Sequence, residues 1–264
     1  MIPKKLHYVW IGDGDPPEPY RTYIEGWSKA CPGWEIRRWG MDDLNGTGNV
    51  FAKEAAAVGK WAFASDCLRL YALAREGGFY LDTDVELKGS LEAFRGNSLC
   101  MGLNLGGYPQ TALIGAEPHQ PLIEELIGEY ARKRFILAEG CYDETANNTR
   151  FFRMFKRHGV NLKALSQEGE NEVMPGVRFY PSSLLCRPRG GLPNIAWHHN
   201  NGTWLEPYRR KSVVDLPFGL RIVRMKRRRC FEGKRELNLL PTEKLIASFR
   251  VRRMEFAIVK RVKA

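Results

Sequence analysis

The chain has 264 residues, of which 44% are hydrophobic and 27% charged, enough for one large domain with its own core or one domain plus an appendage. Its formal net charge of +11 is uneven: residues 1–204 hold 23 Lys and Arg against 24 Asp and Glu, a net of −1, whereas residues 205–264 hold 18 against 6, a net of +12. No apolar run approaches the ~20 residues that span a bilayer. The six cysteines (Cys31, Cys67, Cys100, Cys141, Cys186 and Cys230) form no Cys-x-x-Cys pair, which argues against a disulfide framework or a zinc site and for the reduced thiols of a cytosolic protein.

Leu6 to Ile11 is an apolar, β-branched and aromatic run closed by Gly12-Asp13-Gly14, the pattern of a buried strand that ends in a loop. The chain enters it at once, so no signal peptide is expected. Ligands of open α/β sheets bind beyond the carboxyl ends of the strands, and Trp10 stands at that end. Pro16-Pro17 opens a segment that becomes a helix over Tyr20–Ala30. Pro32-Gly33 turns it into a second strand, Trp34–Trp39, and a helical stretch near Asn49–Val58 follows. With the helix and strand described next, the order is β-α-β-α-β, which predicts parallel strands with helices on their faces. Neither Gly-x-Gly-x-x-Gly nor Gly-x-x-x-x-Gly-Lys occurs, so a dinucleotide enzyme or a phosphate-loop ATPase is not expected.

The helix begins at Trp61 and is rich in Ala, Leu and Arg, apolar nearly all round, and ended by Gly77-Gly78. Asp66 and Arg69 lie one turn apart on it, and charges on a buried helix must be paired or used. Phe79 to Leu87 then alternates apolar and acidic residues as a strand does, which would put Asp82 and Asp84 on one face, roughly 7 Å apart at Cα. Two neighbouring carboxylates repel unless a cation lies between them, and oxygen ligands suit Mg²⁺ or Mn²⁺.

Cys100 to Leu105 and Thr111 to Gly115 are expected as short strands around a Gly106-Gly107 turn, with helices at Leu122–Lys133 and Arg150–His158 and a strand at Val177–Tyr180 that stops at Pro181. His119, beside Pro118, is expected in a turn, and Arg187–Pro193 is a basic Gly/Pro-rich loop. Adjacent histidines point in different directions, so at most one of His198 and His199 should reach a given metal, and an imidazole beside carboxylates favours Mn²⁺ over Mg²⁺. From Glu206 the character changes. Met225-Lys-Arg-Arg-Arg229 and Lys234-Arg235 form a basic cluster, and Pro241-Thr242-Glu243 is expected to cap a terminal helix to about Val262. Val251, Met254, Ile258 and Val262 would form its apolar stripe. The tail lacks the aromatic interleaving of single-strand binders, so nucleic acid is not an expected partner.

Asp66-x-x-Arg69 followed by Gly77-Gly78-x-Tyr80-x-Asp82-x-Asp84 resembles the sugar-binding signature of glycosyltransferase family 32, which includes small bacterial polysaccharide and capsule enzymes and is related to glucosylating toxins. Ile2 to Gly12 resembles the family's opening, and Ile195 to Trp204, with His198-His199 and Thr203-Trp204, its closing His-His-x-x-x-Ser-Trp. The resemblance implies a Rossmann-like GT-A nucleotide-diphosphosugar fold over residues 1–205, with 206–264 as a basic, partly helical appendage. It further implies a retaining, metal-dependent hexosyltransferase. In it Asp84 binds Mn²⁺ or Mg²⁺ directly, Asp82 binds the ribose or the metal through water, and one of His198 and His199 is a ligand or diphosphate contact. Asp66 and Arg69 hold the sugar or diphosphate, Trp10 stacks on the base, Tyr80 belongs to the donor site, and Thr203 and Trp204 close over the diphosphate. The donor is expected to be a nucleotide sugar, UDP-linked by analogy with the bacterial relatives, and the acceptor a glycan or lipid-linked glycan met near Asn104. The chain departs from the family where Thr145-Ala-Asn-Asn-Thr149 replaces a Thr-Gly-Pro. A protein that holds a nucleotide sugar without turnover is the alternative. The +12 tail predicts docking on an anionic membrane surface, peripheral on the inner face of the plasma membrane.

Overall fold

The computed structural model describes residues 1–12, 14–104, 106–137 and 142–200, and beyond them the backbone strands Ser212–Leu216, Leu220–Met225, Glu243–Val251 and Met254–Arg261. The chain divides into two compact units, Met1–Asn201 and Gly202–Ala264. In chain order the first unit runs β1 (Lys5–Val9), α1 (Tyr20–Ala30), β2 (Glu35–Trp39), α2 (Met41–Gly46), α3 (Val50–Ala57), α4 (Trp61–Glu76), β3 (Gly78–Leu81), β4 (Val85–Leu87), β5 (Leu99–Leu103), β6 (Pro109–Ala116), α5 (Pro121–Ala131), α6 (Asn147–Arg157), β7 (Asn171–Met174), β8 (Val177–Tyr180), α7 (Ser182–Leu185) and β9 (Ala196–His198).

Seven strands form one mixed sheet in the order β2-β1-β3-β6-β5-β8-β7. The β2-β1-β3 part is parallel, as the β-α-β-α-β order requires, and β5 pairs parallel with β8. Pairings β3-β6, β6-β5 and β8-β7 are antiparallel. Side-chain alternation along β3 feeds two cores. Tyr80 joins the one built with Phe51, Leu68, Leu73, Leu126 and Phe151 from α3 to α6, whereas Phe79 and Leu81 join Trp27 of α1 in the other. This is a helix–sheet–helix α/β fold of the Rossmann-like GT-A kind.

The junction of α4 and β3 requires its glycines. Gly77 and Gly78 have φ of +62° and +101°. A Cβ on Gly77 would stand 2.6 Å from Pro118 Cδ, and one on Gly78 2.7 Å from the Lys5 carbonyl oxygen. Buried His7 locks the same junction. Trp39 Nε1 donates to its Nδ1 at 3.1 Å, so the ring proton sits on Nε2, which donates to the Gly77 carbonyl at 2.7 Å. Burial pushes the His7 pKa down to about 4.

Two expectations are corrected. Phe79–Leu87 is not one strand: β3 stops at Leu81, and Val85 N–H donates to Asp82 O at 3.0 Å across a turn. Asp is a turn former that competes for its own backbone. The chain then leaves the large sheet, and β4 pairs with β9 in a separate antiparallel ribbon. The terminal helix is also overturned. The second unit has a four-stranded antiparallel sheet, β10 (Ser212–Leu216), β11 (Leu220–Met225), β13 (Met254–Arg261) and β12 (Glu243–Val251) in that order, with Val251 paired to Met254. The i, i+3, i+7 stripe was one subset of a period-2 pattern, Leu245, Ala247, Phe249, Val251 and then Met254, Phe256, Ile258. β-Branched and aromatic residues favour that alternative. Among the described residues no helix is long and apolar enough to cross a membrane.

Candidate active site

Three pieces of chain meet beyond the carboxyl end of β3: the inward side of α4, the Asp82–Asp84 turn, and β9. Arg69 is at their centre with its side chain 6% exposed. Its Nη2 lies 2.9 Å from Asp66 Oδ1 and 3.1 Å from Asp82 Oδ1, while Nη1 donates to the Thr111 carbonyl at 2.7 Å. One guanidinium therefore spaces two carboxylates, and its planar fork suits that task better than an ammonium would. Tyr80 is 1% exposed and reaches the site through its hydroxyl, which donates to Asp82 Oδ1 at 2.8 Å.

On its other side Asp66 meets the start of α6. Asn147 N–H donates to Asp66 Oδ2 at 3.1 Å and the Asn147 side-chain amide donates to the Asp66 carbonyl at 2.8 Å. Ala146, the residue before α6, offers no side-chain cap, so the Asp66 carboxylate supplies one across 81 residues of sequence. Burial raises the Asp66 pKa to about 6; Arg69 pulls it down, and the Asp82 charge pushes it up.

The β4–β9 ribbon decides which histidine joins the aspartates. Val85 is registered with His198, so His198 stands beside Asp84 with its Nε2 3.2 Å from Asp84 Oδ1. One ligand atom each from Asp82, Asp84 and His198 lie within 4.8 Å of one another. Two carboxylate oxygens and an imidazole nitrogen so close together fit a single divalent cation. Burial works against a charge on His198, but its bonds to Asp84 and Cys186 and the field of the two aspartates outweigh it and raise the pKa to about 10. His199 points elsewhere. Its Nε2 is 3.1 Å from Glu86 Oε2, and its ring lies 4.6 Å from that of Tyr23 and 4.3 Å from that of Trp197, stacked on each.

Trp10 follows β1 at its carboxyl end, 6.3 Å from the Tyr20 ring, and its indole nitrogen is buried with no partner among the described residues. Asn104 serves its own turn, with Oδ1 accepting from Gly106 N at 2.9 Å and Tyr108 N at 3.0 Å. Thr203 and Trp204 lie outside the described residues. Sequence reasoning missed Asn147, Gln110 and Cys186. An Asn beside a helix start is a capping signal, but nothing local ties it to Asp66. Gln110, whose Nε2 is 2.9 Å from both His198 Nδ1 and Cys186 Sγ, sits in no motif.

A carboxylate–guanidinium–carboxylate chain thus lies next to an Asp-Asp-His cluster able to hold a cation, at the carboxyl end of an α/β sheet strand. The family model described as a glycosyltransferase sugar-binding region containing a DXD motif matches residues 17–101, which include Asp66, Arg69, Asp82 and Asp84. The chain is accordingly a transferase of the glycosyltransferase class, with a nucleotide-sugar donor. No curated protein matches it. Among solved structures it is similar to the PaToxG glycosyltransferase, at 18% identity over 60% of this chain and 70% of that one, with a TM-score of 0.48.

Proposed function

We propose that the protein is a Mn²⁺-dependent, retaining hexosyltransferase of glycosyltransferase family 32. It moves a sugar from a UDP-linked donor to a hydroxyl of a glycan or lipid-linked glycan during polysaccharide synthesis. The observation that carries this reading is the convergence of Asp82, Asp84 and His198 within 4.8 Å, next to the Asp66–Arg69 pair.

Asp82, Asp84 and His198 would hold the cation. When bound, it supplies Lewis-acid neutralisation of the charge that develops on the leaving diphosphate. Asp66, fixed by Arg69 and Asn147, accepts hydrogen bonds from sugar hydroxyls. Arg69 has most of its donors committed to Asp66, Asp82 and Thr111, so it acts chiefly by holding those acids apart. Tyr80 orients Asp82 in the same way. Trp10 offers its ring to the nucleobase. Asn104 shapes the acceptor-side loop. In a retaining reaction the departing phosphate oxygen takes the acceptor's proton, and no side-chain base is needed for it.

The basic stretch after residue 205 is read as the part that brings the enzyme to an anionic membrane surface, where a lipid-linked acceptor is presented. The charge split supports this, and the loss of the terminal helix leaves electrostatic attraction, not helix insertion, as its basis.

A panel of UDP- and GDP-sugars, each incubated with and without Mn²⁺, tests the function by release of free nucleotide. At least one UDP-sugar should be hydrolysed only with Mn²⁺. Preference for a GDP-sugar would reverse the donor assignment, and hydrolysis of none would leave a binding protein.

A further inference from the structure

Gln110 on β6 is absent from every part of the chemistry described so far, yet it touches the proposed cation ligand. Its Nε2 is 2.9 Å from His198 Nδ1 and 2.9 Å from Cys186 Sγ. Cys186 is a buried free thiol, and its backbone carbonyl accepts from His198 N–H. His198, Gln110 and Cys186 thus form one small network behind the cation site.

The direction of the bond to the ring has a chemical consequence. A cation on Nε2 takes the place of a ring proton, so the neutral ring is the one that matters for loading: an amide nitrogen donates, and with Gln110 in this orientation the neutral ring must accept at Nδ1 and keep its proton on Nε2. There it faces Asp84 Oδ1 at 3.2 Å. That tautomer has no lone pair on Nε2 to give a cation. A His198 that binds metal through Nε2 must carry its proton on Nδ1, and the partner of Nδ1 must then be an acceptor.

Gln110 can be that acceptor without displacing anything. A half-turn of its side-chain amide exchanges Nε2 for Oε1 at the same place. Oε1 then accepts from His198 Nδ1–H. Cys186 adapts because a thiol is both donor and acceptor: its sulfur accepts from the amide in one orientation and its S–H donates to Oε1 in the other. Both arrangements keep residue 110 bonded to His198 and to Cys186. At residue 110, Glu preserves the acceptor, whereas an apolar residue of similar length, such as Met, removes it.

We infer that Gln110 is a positioning residue for the cation site. Its amide orientation selects the His198 tautomer, and the orientation with Oε1 on Nδ1 is the one that binds metal. This rests on the proposed Asp82-Asp84-His198 site.

The test is Mn²⁺ binding to the full chain in the presence of UDP, followed by the EPR signal of free Mn²⁺, for wild type, Gln110→Glu, Gln110→Met, His198→Ala and Asp84→Asn. Outer-shell partners of metal-bound histidines contribute 10–100-fold in affinity, so Gln110→Met should weaken binding about 10-fold or more while Gln110→Glu binds at least as tightly as wild type. A structural role alone would weaken both. Wild-type affinity in Gln110→Met, together with loss of binding in His198→Ala and Asp84→Asn, would overturn the role of Gln110 and leave the site standing. Wild-type affinity in all four variants would overturn the site itself. ¹⁵N NMR of the histidine rings with diamagnetic Mg²⁺ and UDP reads the tautomer directly. The inference requires His198 Nδ1 to be protonated on loading, and a proton that stays on Nε2 contradicts it.

Discussion

Asp66 holds two positions at once. Its side chain is 14% exposed, one oxygen on Arg69 and the other on the first N–H of α6. Replacing it by Ala removes the proposed sugar contact, a helix cap and one of the two carboxylates that Arg69 neutralises. Loss of a cap alone costs about 1 kcal/mol, and loss of a well-placed polar contact at a reacting centre costs roughly 10²-fold in rate. Asp66→Ala is therefore expected to lower the urea midpoint modestly and to abolish most donor hydrolysis per folded molecule. Should stability fall while specific activity survives, Asp66 would be a salt-bridge partner and nothing more. Arg69→Lys is not conservative at this position, because an ammonium cannot bridge Asp66, Asp82 and the Thr111 carbonyl together. It should reduce activity nearly as much as Asp66→Ala, and full activity in that variant would contradict the spacing role of the guanidinium.

The elements that position these residues are held by a junction sensitive to pH and to volume. His7 is neutral between Trp39 and Gly77, with its pKa lowered to about 4 by burial. Below pH 6.5 the unfolded chain accepts a proton that the folded one refuses, so the contribution is fully present above pH 6.5 and is lost as pH falls toward 4. It amounts to roughly 3 kcal/mol. The gap in unfolding free energy between wild type and His7→Leu should shrink from pH 7 to pH 4.5, and a constant gap would contradict the assignment. Gly78→Ala places a methyl 2.7 Å from a backbone oxygen at φ +101° and should cost at least 1–3 kcal/mol. An unchanged urea midpoint would show that the junction relaxes. Much of this scale was legible in sequence: the Gly-Gly stop, the buried α4 with its charged pair, and the parallel β1, β2 and β3 all follow from local composition. The site's assembly was not. Asp82 and Asp84 meet His198 because a turn ejects β4 onto β9, a pairing across more than a hundred residues that no periodicity encodes. The tail misled for another reason, since its apolar residues satisfy a helical and an alternating spacing together and only the β-branched content separates them.

At the scale of the whole molecule the charge is partitioned, with a net of −1 over residues 1–204 and +12 over residues 205–264. Each Lys or Arg close to an anionic leaflet contributes on the order of 1 kcal/mol, so a few of them suffice for reversible docking. The full chain should co-sediment with phosphatidylserine-containing vesicles but not with neutral ones, and release as salt rises. Changing Lys226, Arg227, Arg228 and Arg229 to Gln should weaken this without affecting hydrolysis of a soluble donor. Equal sedimentation with neutral vesicles, or no effect of the four changes, would end the docking proposal.

The proposed activity depends on a catalytic cation held by Asp84 and its neighbours, and one measurement addresses that most directly. Wild type and Asp84→Asn, both stripped with EDTA, are assayed for UDP-sugar hydrolysis as Mn²⁺ is restored, with the fold of each checked by its thermal transition. The amide keeps the shape of the side chain and removes its charge. Wild-type activity should return with Mn²⁺ while Asp84→Asn stays folded and at least roughly 10²-fold slower at every concentration. Hydrolysis by the stripped wild-type enzyme, or near-wild-type rates for Asp84→Asn in saturating Mn²⁺, would contradict the cation site.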